Sequence, residues 1–198
     1  MGVISITSKN DKYNRILKAA IEVISEKGIQ KTTISDIVKK ADTAQGTFYL
    51  YFSSKNALIP AIAENLFQLT LNKIKSSVHE KDGFWHALEV YIDETYAITD
   101  QYKDVVILCY SGTAFDYSME TWEKIYQPLY DWFENLLIDG IQKQEVISSV
   151  PIQWTSKLII NSIENSAERF YIAKDQDMTC EDSKKELFQF IQRSLITK

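Results

Sequence analysis

The chain has few of the residues that break, crosslink or anchor a polypeptide. Three prolines and six glycines in 198 residues leave no collagen-like or linker-rich segment. The two cysteines, Cys109 in an apolar run and Cys180 in a polar stretch, do not make a disulfide scaffold and suit free thiols in a reducing compartment. Apolar runs such as 105–110 end well short of the roughly 18 residues that a bilayer crossing takes, so no transmembrane helix is expected. Met1 to Tyr13 lacks a basic region followed by an apolar one, and Ile6 breaks the myristoylation pattern. The expected location is the cytoplasm, with no membrane partner. Histidine is limited to His79 and His86, and neither follows a glutamate at the Glu-x-x-His spacing. With no metal-spaced Cys/His set, no Gly-rich phosphate loop and no Gly-x-Ser-x-Gly, no metal site, cofactor or catalytic residue is expected.

What the chain does have is an ordinary globular composition, 45% hydrophobic and 25% charged, patterned at helical spacing. Ile16, Leu17, Ala20, Ile21 and Ile24 recur three and four apart, and Gly28 follows as a stop, which predicts a helix over 11–27. Similar patterns predict helices over 34–40, 44–51, 55–78, 84–99, 101–114, 119–144, 152–174 and 180–196. The expected fold is all-α with about nine helices. Pro128 is expected to interrupt the seventh of them.

The net charge of −5 conceals a division. Residues 1–60 hold nine Lys/Arg against five acids, net +4, and the other 138 hold 13 against 22, net −9. A small basic N-terminal unit on an acidic body is a pattern suited to a polyanionic partner.

Residues 33–52 read as two short helices across a tight break, dependent on packing against the first helix. Thr33 and Asp36 have capping-box spacing, Asp42 tolerates a left-handed turn, and Thr43 or Ala44 starts the second helix. Phe48 and Phe52 point inward. The outward positions are read as Gln45, Thr47, Tyr49 and Tyr51, with Gly46 leaving the backbone open. Hydroxyls suit phosphate oxygens and Gln suits the adenine major-groove edge.

The run TTISDIVKKADTAQGTFYLYFSSKNAL, residues 32–58, resembles the signature of the TetR family of bacterial transcriptional regulators, most closely in Gly46 to Lys55. The resemblance implies a homodimeric repressor with a helix-turn-helix domain at 1–54 and a ligand-binding and dimerisation domain at 55–198. It also implies that Gln45 and Tyr49 approach bases or the adjacent sugar-phosphate while Thr33, Thr47, Tyr51 and Lys55, with Thr43 and Ala44 at the helix start, bind the DNA backbone. Asp42 and Thr43 depart from the glycine and apolar residue usual in the family's turn.

Thirteen of the 24 aromatic residues fall in positions 84–133, beside nine acids and two lysines. Aromatic walls near carboxylates suit a flat or cationic hydrophobic ligand. The candidate pocket is Phe67, Trp85, Leu88, Tyr91, Glu94, Thr95, Tyr110, Tyr126, Tyr130 and Phe133, with Glu94 as its carboxylate. Apolar stripes near the C-terminus (Leu158, Ser162, Ile163, Ser166 and Phe170, then Leu187, Phe188, Ile191 and Leu195) are either core or, as the resemblance implies, the dimer interface. The functional expectation is a repressor released from double-stranded operator DNA by a small hydrophobic inducer, neutral or cationic. The alternatives are a helix-turn-helix regulator without inducer and, more weakly, an all-α enzyme.

Overall fold

The computed structural model describes residues 11–79, 81–109, 118–175 and 177–196, and among these it has eight α-helices and no strand. They are α1 (Asp11–Lys31), α2 (Ile34–Lys40), α3 (Gln45–Tyr51), α4 (Leu58–Ser77), α5 (Phe84–Cys109), α6 (Met119–Gln142), α7 (Ile152–Tyr171) and α8 (Cys180–Leu195). The expected helices 84–99 and 101–114 are joined as α5. Tyr102 (φ −118°, ψ 21°) leaves helical torsions for one residue, a distortion that bends the run without ending it.

Gly28 closes the regular part of α1 as its position suggests. Its φ of 76° lies in the left-handed region that a glycine adopts without steric cost, and Thr32 Oγ1 then donates to its carbonyl at 2.8 Å. α4 starts at Leu58, three residues later than expected, because Ser54 Oγ accepts from the Ala57 N–H (3.2 Å) and organises a turn first. Gly140, a punctuation point in the sequence, lies inside α6. A Cβ there would stand 3.0 Å from Phe84 Cβ and 3.1 Å from Val146 Cγ2, so the glycine permits close packing rather than a break. α6 also runs unbroken past Pro128: the carbonyl deprived of its partner belongs to Lys124, a residue exposed to solvent.

The chain forms two compact units, Met1–Leu69 with Asp104–Ile125, and Thr70–Lys103 with Tyr126–Lys198. In the first, Ile16, Ala20 and Ile24 of α1, Ile37 of α2 and Phe48 of α3 are fully buried. The second has its own core, including Phe84, Leu88, Tyr91 and Tyr96 of α5, Phe133 and Leu137 of α6, and Ile160, Ile163 and Ala167 of α7.

Candidate nucleic-acid interface and buried polar cluster

Three devices hold α2 and α3. Thr33 caps α2 reciprocally with Asp36: the Thr33 N–H donates to Asp36 Oδ2 (2.8 Å) and the Asp36 N–H donates to Thr33 Oγ1 (3.2 Å). Lys27 Nζ lies 2.6 Å from the same carboxylate, and these partners hold Asp36 well below the ordinary carboxylate range. The turn between the helices passes through Asp42 at φ 49°, as its residue type suggested. Arg15 of α1 clamps that turn, with Nη2 donating to the carbonyls of Ala41 (2.6 Å) and Asp42 (2.5 Å) and Nε to Ala41 (3.2 Å). This clamp was not read from the sequence, because 26 residues separate donor and acceptor.

On α3, Phe48 is fully buried and Phe52, its C-cap, is 4% exposed, with ring centroids 5.5 Å apart. Gln45, Gly46, Tyr49 and Leu50 form the exposed face. Leu50 is the most exposed of the large apolar residues at 80%, against 51% for Tyr49. Thr47 and Tyr51 are half-buried flanks, Tyr51 packing edge-on against Tyr13 at 5.8 Å. Ala44 caps α3 without a side-chain hydrogen bond, and the Thr43 N–H donates to the Val38 carbonyl (3.0 Å). Two expected phosphate ligands have internal partners. The Thr33 hydroxyl is engaged in its capping box, and Lys55 Nζ donates to the carbonyls of Ile29 (2.8 Å) and Thr32 (2.9 Å), leaving one N–H.

Loss of the clamp should be measurable. Arg15→Ala is expected to cost about 1–3 kcal/mol, the range for hydrogen bonds to a charged group, and to weaken DNA binding about tenfold. Arg15→Lys should recover only part, since an ammonium lacks the planar fork. Thermal melts and fluorescence anisotropy on the same preparations check both effects.

The second unit brings together some of the expected pocket residues. Tyr91 and Thr95, one turn apart on α5, are buried, and among the described residues neither Tyr91 Oη nor Thr95 Oγ1 has a hydrogen-bond partner. Tyr91 packs against Trp132 (5.7 Å) and Phe133 (5.9 Å), while Tyr126 and Tyr130 stack at 5.4 Å. Tyr126 Oη donates to Glu164 Oε2 at 2.7 Å. Burial pushes the Glu164 carboxyl up to about 8, and neighbouring Glu168 adds to the rise. The phenol of Tyr91 is raised by burial first, then by Glu164 and Tyr130.

Glu94 does not fill the role expected of it. Its carboxylate pairs with Lys73 at 3.2 Å, and the carboxyl most affected by desolvation is that of half-buried Glu164 on α7, a helix that the resemblance assigned to the interface. Trp85 packs on Phe188 of α8 (5.9 Å) and on Phe84. Leu88 is fully buried, Phe67 is half-buried in the first unit, and Tyr110 lies outside the described residues.

The C-terminal stripes divide. Ile163, Ile191 and Leu195 are at most 1% exposed within the protomer, so they are core and are corrected as interface residues. Ser166 Oγ and Ser183 Oγ both share hydrogen bonds with Tyr96 Oη (2.7 and 2.8 Å), joining α5, α7 and α8. Ser162 donates to the Leu158 carbonyl (2.7 Å). Phe170, Leu187 and Phe188 are half-buried, and Phe170 and Leu187 border an open groove of about 510 Å³. The exposed apolar residues are Leu158 (52%), Trp154 (64%) and Phe190 (61%), the last two missed in the sequence.

Comparison with known proteins agrees with this anatomy at both ends of the chain. Residues 16–62 match the family model described as bacterial regulatory proteins, tetR family, and residues 88–195 match one described as tetracyclin repressor-like, C-terminal domain. The chain is 59% identical over 186 residues to a Bacillus subtilis (strain 168) protein described as the uncharacterized HTH-type transcriptional regulator YvdT, covering 94% of this chain and 96% of that one. Among solved structures, it is similar to the fatty acid degradation regulator FadR from Bacillus halodurans, with TM-score 0.75, 19% identity and coverage of 94% and 97%. FadR from Bacillus subtilis in complex with stearoyl-CoA gives TM-score 0.71 at 21% identity, with coverage of 90% and 97%. At those identities the structural likeness is one of fold.

Proposed function

This chain belongs to the TetR family of bacterial regulatory proteins and is a helix-turn-helix transcriptional regulator, and from that premise we propose a ligand-responsive repressor acting as a homodimer on operator DNA. Residues 1–54 are its DNA-binding part and 55–198 its ligand-binding and dimerisation part. The observation that carries the proposal is the exposed face of α3, Gln45, Tyr49 and Leu50, held rigid from behind by Phe48 and the Arg15-clamped turn. Gln45 reads a base edge, and the Leu50 methyls suit a thymine methyl. Thr47 and Tyr51 serve the backbone, with Lys55, Thr33, Thr43 and Ala44 at its edge.

One seven-residue helix offers few base contacts, so two half-sites multiply the discrimination and require a two-fold dimer. The exposed residues Leu158, Trp154 and Phe190 supply its apolar surface, with Ser162, Ser166, Phe170, Leu187 and Phe188 alongside. A small hydrophobic inducer, neutral or cationic, in the second unit binds better to the dimer whose α3 helices are wrongly spaced, and operator DNA weakens the inducer by the same factor. α4, which has residues in both units, is the element it shifts.

The test is binding selection with DNA flanking the protein's own gene, followed by anisotropy with and without ligands. A partly palindromic site is expected. Gln45→Ala should cost about 1–3 kcal/mol, mainly at one base position in each half-site. An unchanged selected motif would remove Gln45 from base reading, and no selected site at all would refute the operator-binding proposal.

A further inference from the structure

We infer that Glu164, with the rings of Tyr91, Tyr126 and Tyr130 around it, is the anionic end of a site for an organic cation of the quaternary-ammonium class, and that the cation replaces the carboxyl's proton on binding. The inference rests on the second unit being the ligand-binding part and specifies what that part accepts.

Four observations within this unit support it. The Glu164 carboxyl receives one hydrogen bond, from Tyr126 Oη, and no cation pairs with it among the described residues. Glu164 is half-buried, and a carboxylate desolvated in this way without a counter-charge is disfavoured, so the group favours its proton until a cation arrives. The nearby rings supply the electron-rich faces that attract an alkylammonium too weakly hydrated to demand water: Tyr126 stacked on Tyr130, and Tyr91 with Trp132 behind it. Tyr91 Oη and Thr95 Oγ1 are buried without partners among the described residues, each at an energetic cost that an occupant carrying a hydroxyl would relieve.

The titratable groups around Glu164 are Tyr91 from α5, Tyr126 and Tyr130 from α6, and Glu168 on α7 itself. Lys157, also on α7, stands 4.9 Å from the centre of the Tyr130 ring. The second carboxylate adds negative potential, which favours a cation and opposes an anion such as an acyl-CoA.

In chemical terms, the protonated carboxyl and the cation give an ion pair and one proton released to solvent, with no bond formed to the ligand. With the carboxyl titrating at about 8, cation affinity should rise about tenfold per pH unit below that point and level off above it. Calorimetry of the full-length protein between about pH 6 and 9 tests this linkage, using choline, benzyltrimethylammonium and 3,3-dimethylbutan-1-ol, the uncharged isostere of choline. Expected are the rise for both ammonium ions, close to one proton released in buffers of different ionisation enthalpy, and a flat profile for the isostere.

Glu164→Gln keeps an acceptor for Tyr126, so it should fold and bind the isostere as before. It should lose the pH dependence and most of the affinity for ammonium ions. Ammonium binding independent of pH, an unchanged profile in E164Q, or no ammonium binding at millimolar concentration would each overturn the inference. Release of operator DNA by the isostere or stearoyl-CoA, without ammonium binding, would retain the ligand-responsive function and reject the cation. Failure of every small molecule to change operator affinity would reject that function itself, while the calorimetry would still decide what Glu164 binds.

Discussion

Phe48→Ala is expected to destabilise the N-terminal unit by about 3–5 kcal/mol, the range for removing a fully buried aromatic ring, and to abolish specific DNA binding. The ring is the hub of a very small core. It has no exposed surface, its centroid lies 5.5 Å from Phe52, and Tyr49 meets it edge-on at 5.6 Å. A seven-residue helix gains too few internal hydrogen bonds to persist without such packing. With the ring removed, nothing would hold Tyr49 and Leu50 at a defined angle to the groove. Phe48→Leu should recover most of the stability, because the apolar volume is largely kept. Chemical denaturation followed by circular dichroism measures the first effect, and operator anisotropy the second. A mutant with wild-type operator affinity would show that α3 is not the reading helix.

Raising salt from about 50 to 200 mM should weaken operator binding about a thousandfold, a log–log slope near −5, if each dimer neutralises about six phosphates. The figure of six comes from sorting the basic residues of the first unit by partner. Arg15 holds the Ala41 and Asp42 carbonyls, Lys27 pairs with Asp36, Lys40 with Glu22 (3.4 Å) and Glu26 (3.1 Å), and Lys55 holds the end of α1. Lys18, Lys31 and Lys39 are exposed and make no ion pair among the described residues. Three such lysines in each of two protomers give the estimate. Lys39→Ala should therefore flatten the slope by about two per dimer, one contact per protomer, whereas Lys27→Ala should lower stability and leave the slope unchanged. Equal slopes in wild type and K39A would show that the unpaired lysines do not meet phosphate.

The helices themselves were legible in the sequence, because helical periodicity is a property of neighbours along the chain. α2 begins and ends where its capping box and lysine pair indicate, and Gly28 and Asp42 adopt the positive φ their residue types allow. Leu50 was also within reach: about 200° of helical rotation separates it from Phe48, but its apolar character suggested burial. The alternate positions Gln45, Thr47, Tyr49 and Tyr51 follow a strand period that a helix cannot present on one face.

The remaining assignments depended on residues far apart in the chain. The Arg15 clamp, the Lys55 anchor and the Glu164–Tyr126 bond span 23 to 38 positions, so no local pattern marks them. For the same reason sequence placed the pocket carboxylate at Glu94, which Lys73 neutralises, and left Ile163, Ile191 and Leu195 as either core or, by the resemblance, dimer interface. Period and capping determine that a helix forms and where it stops. Which of its apolar faces meets its own chain, and which acid is left desolvated without a cation, is decided only when helices pack, because burial and charge pairing are properties of the assembled core.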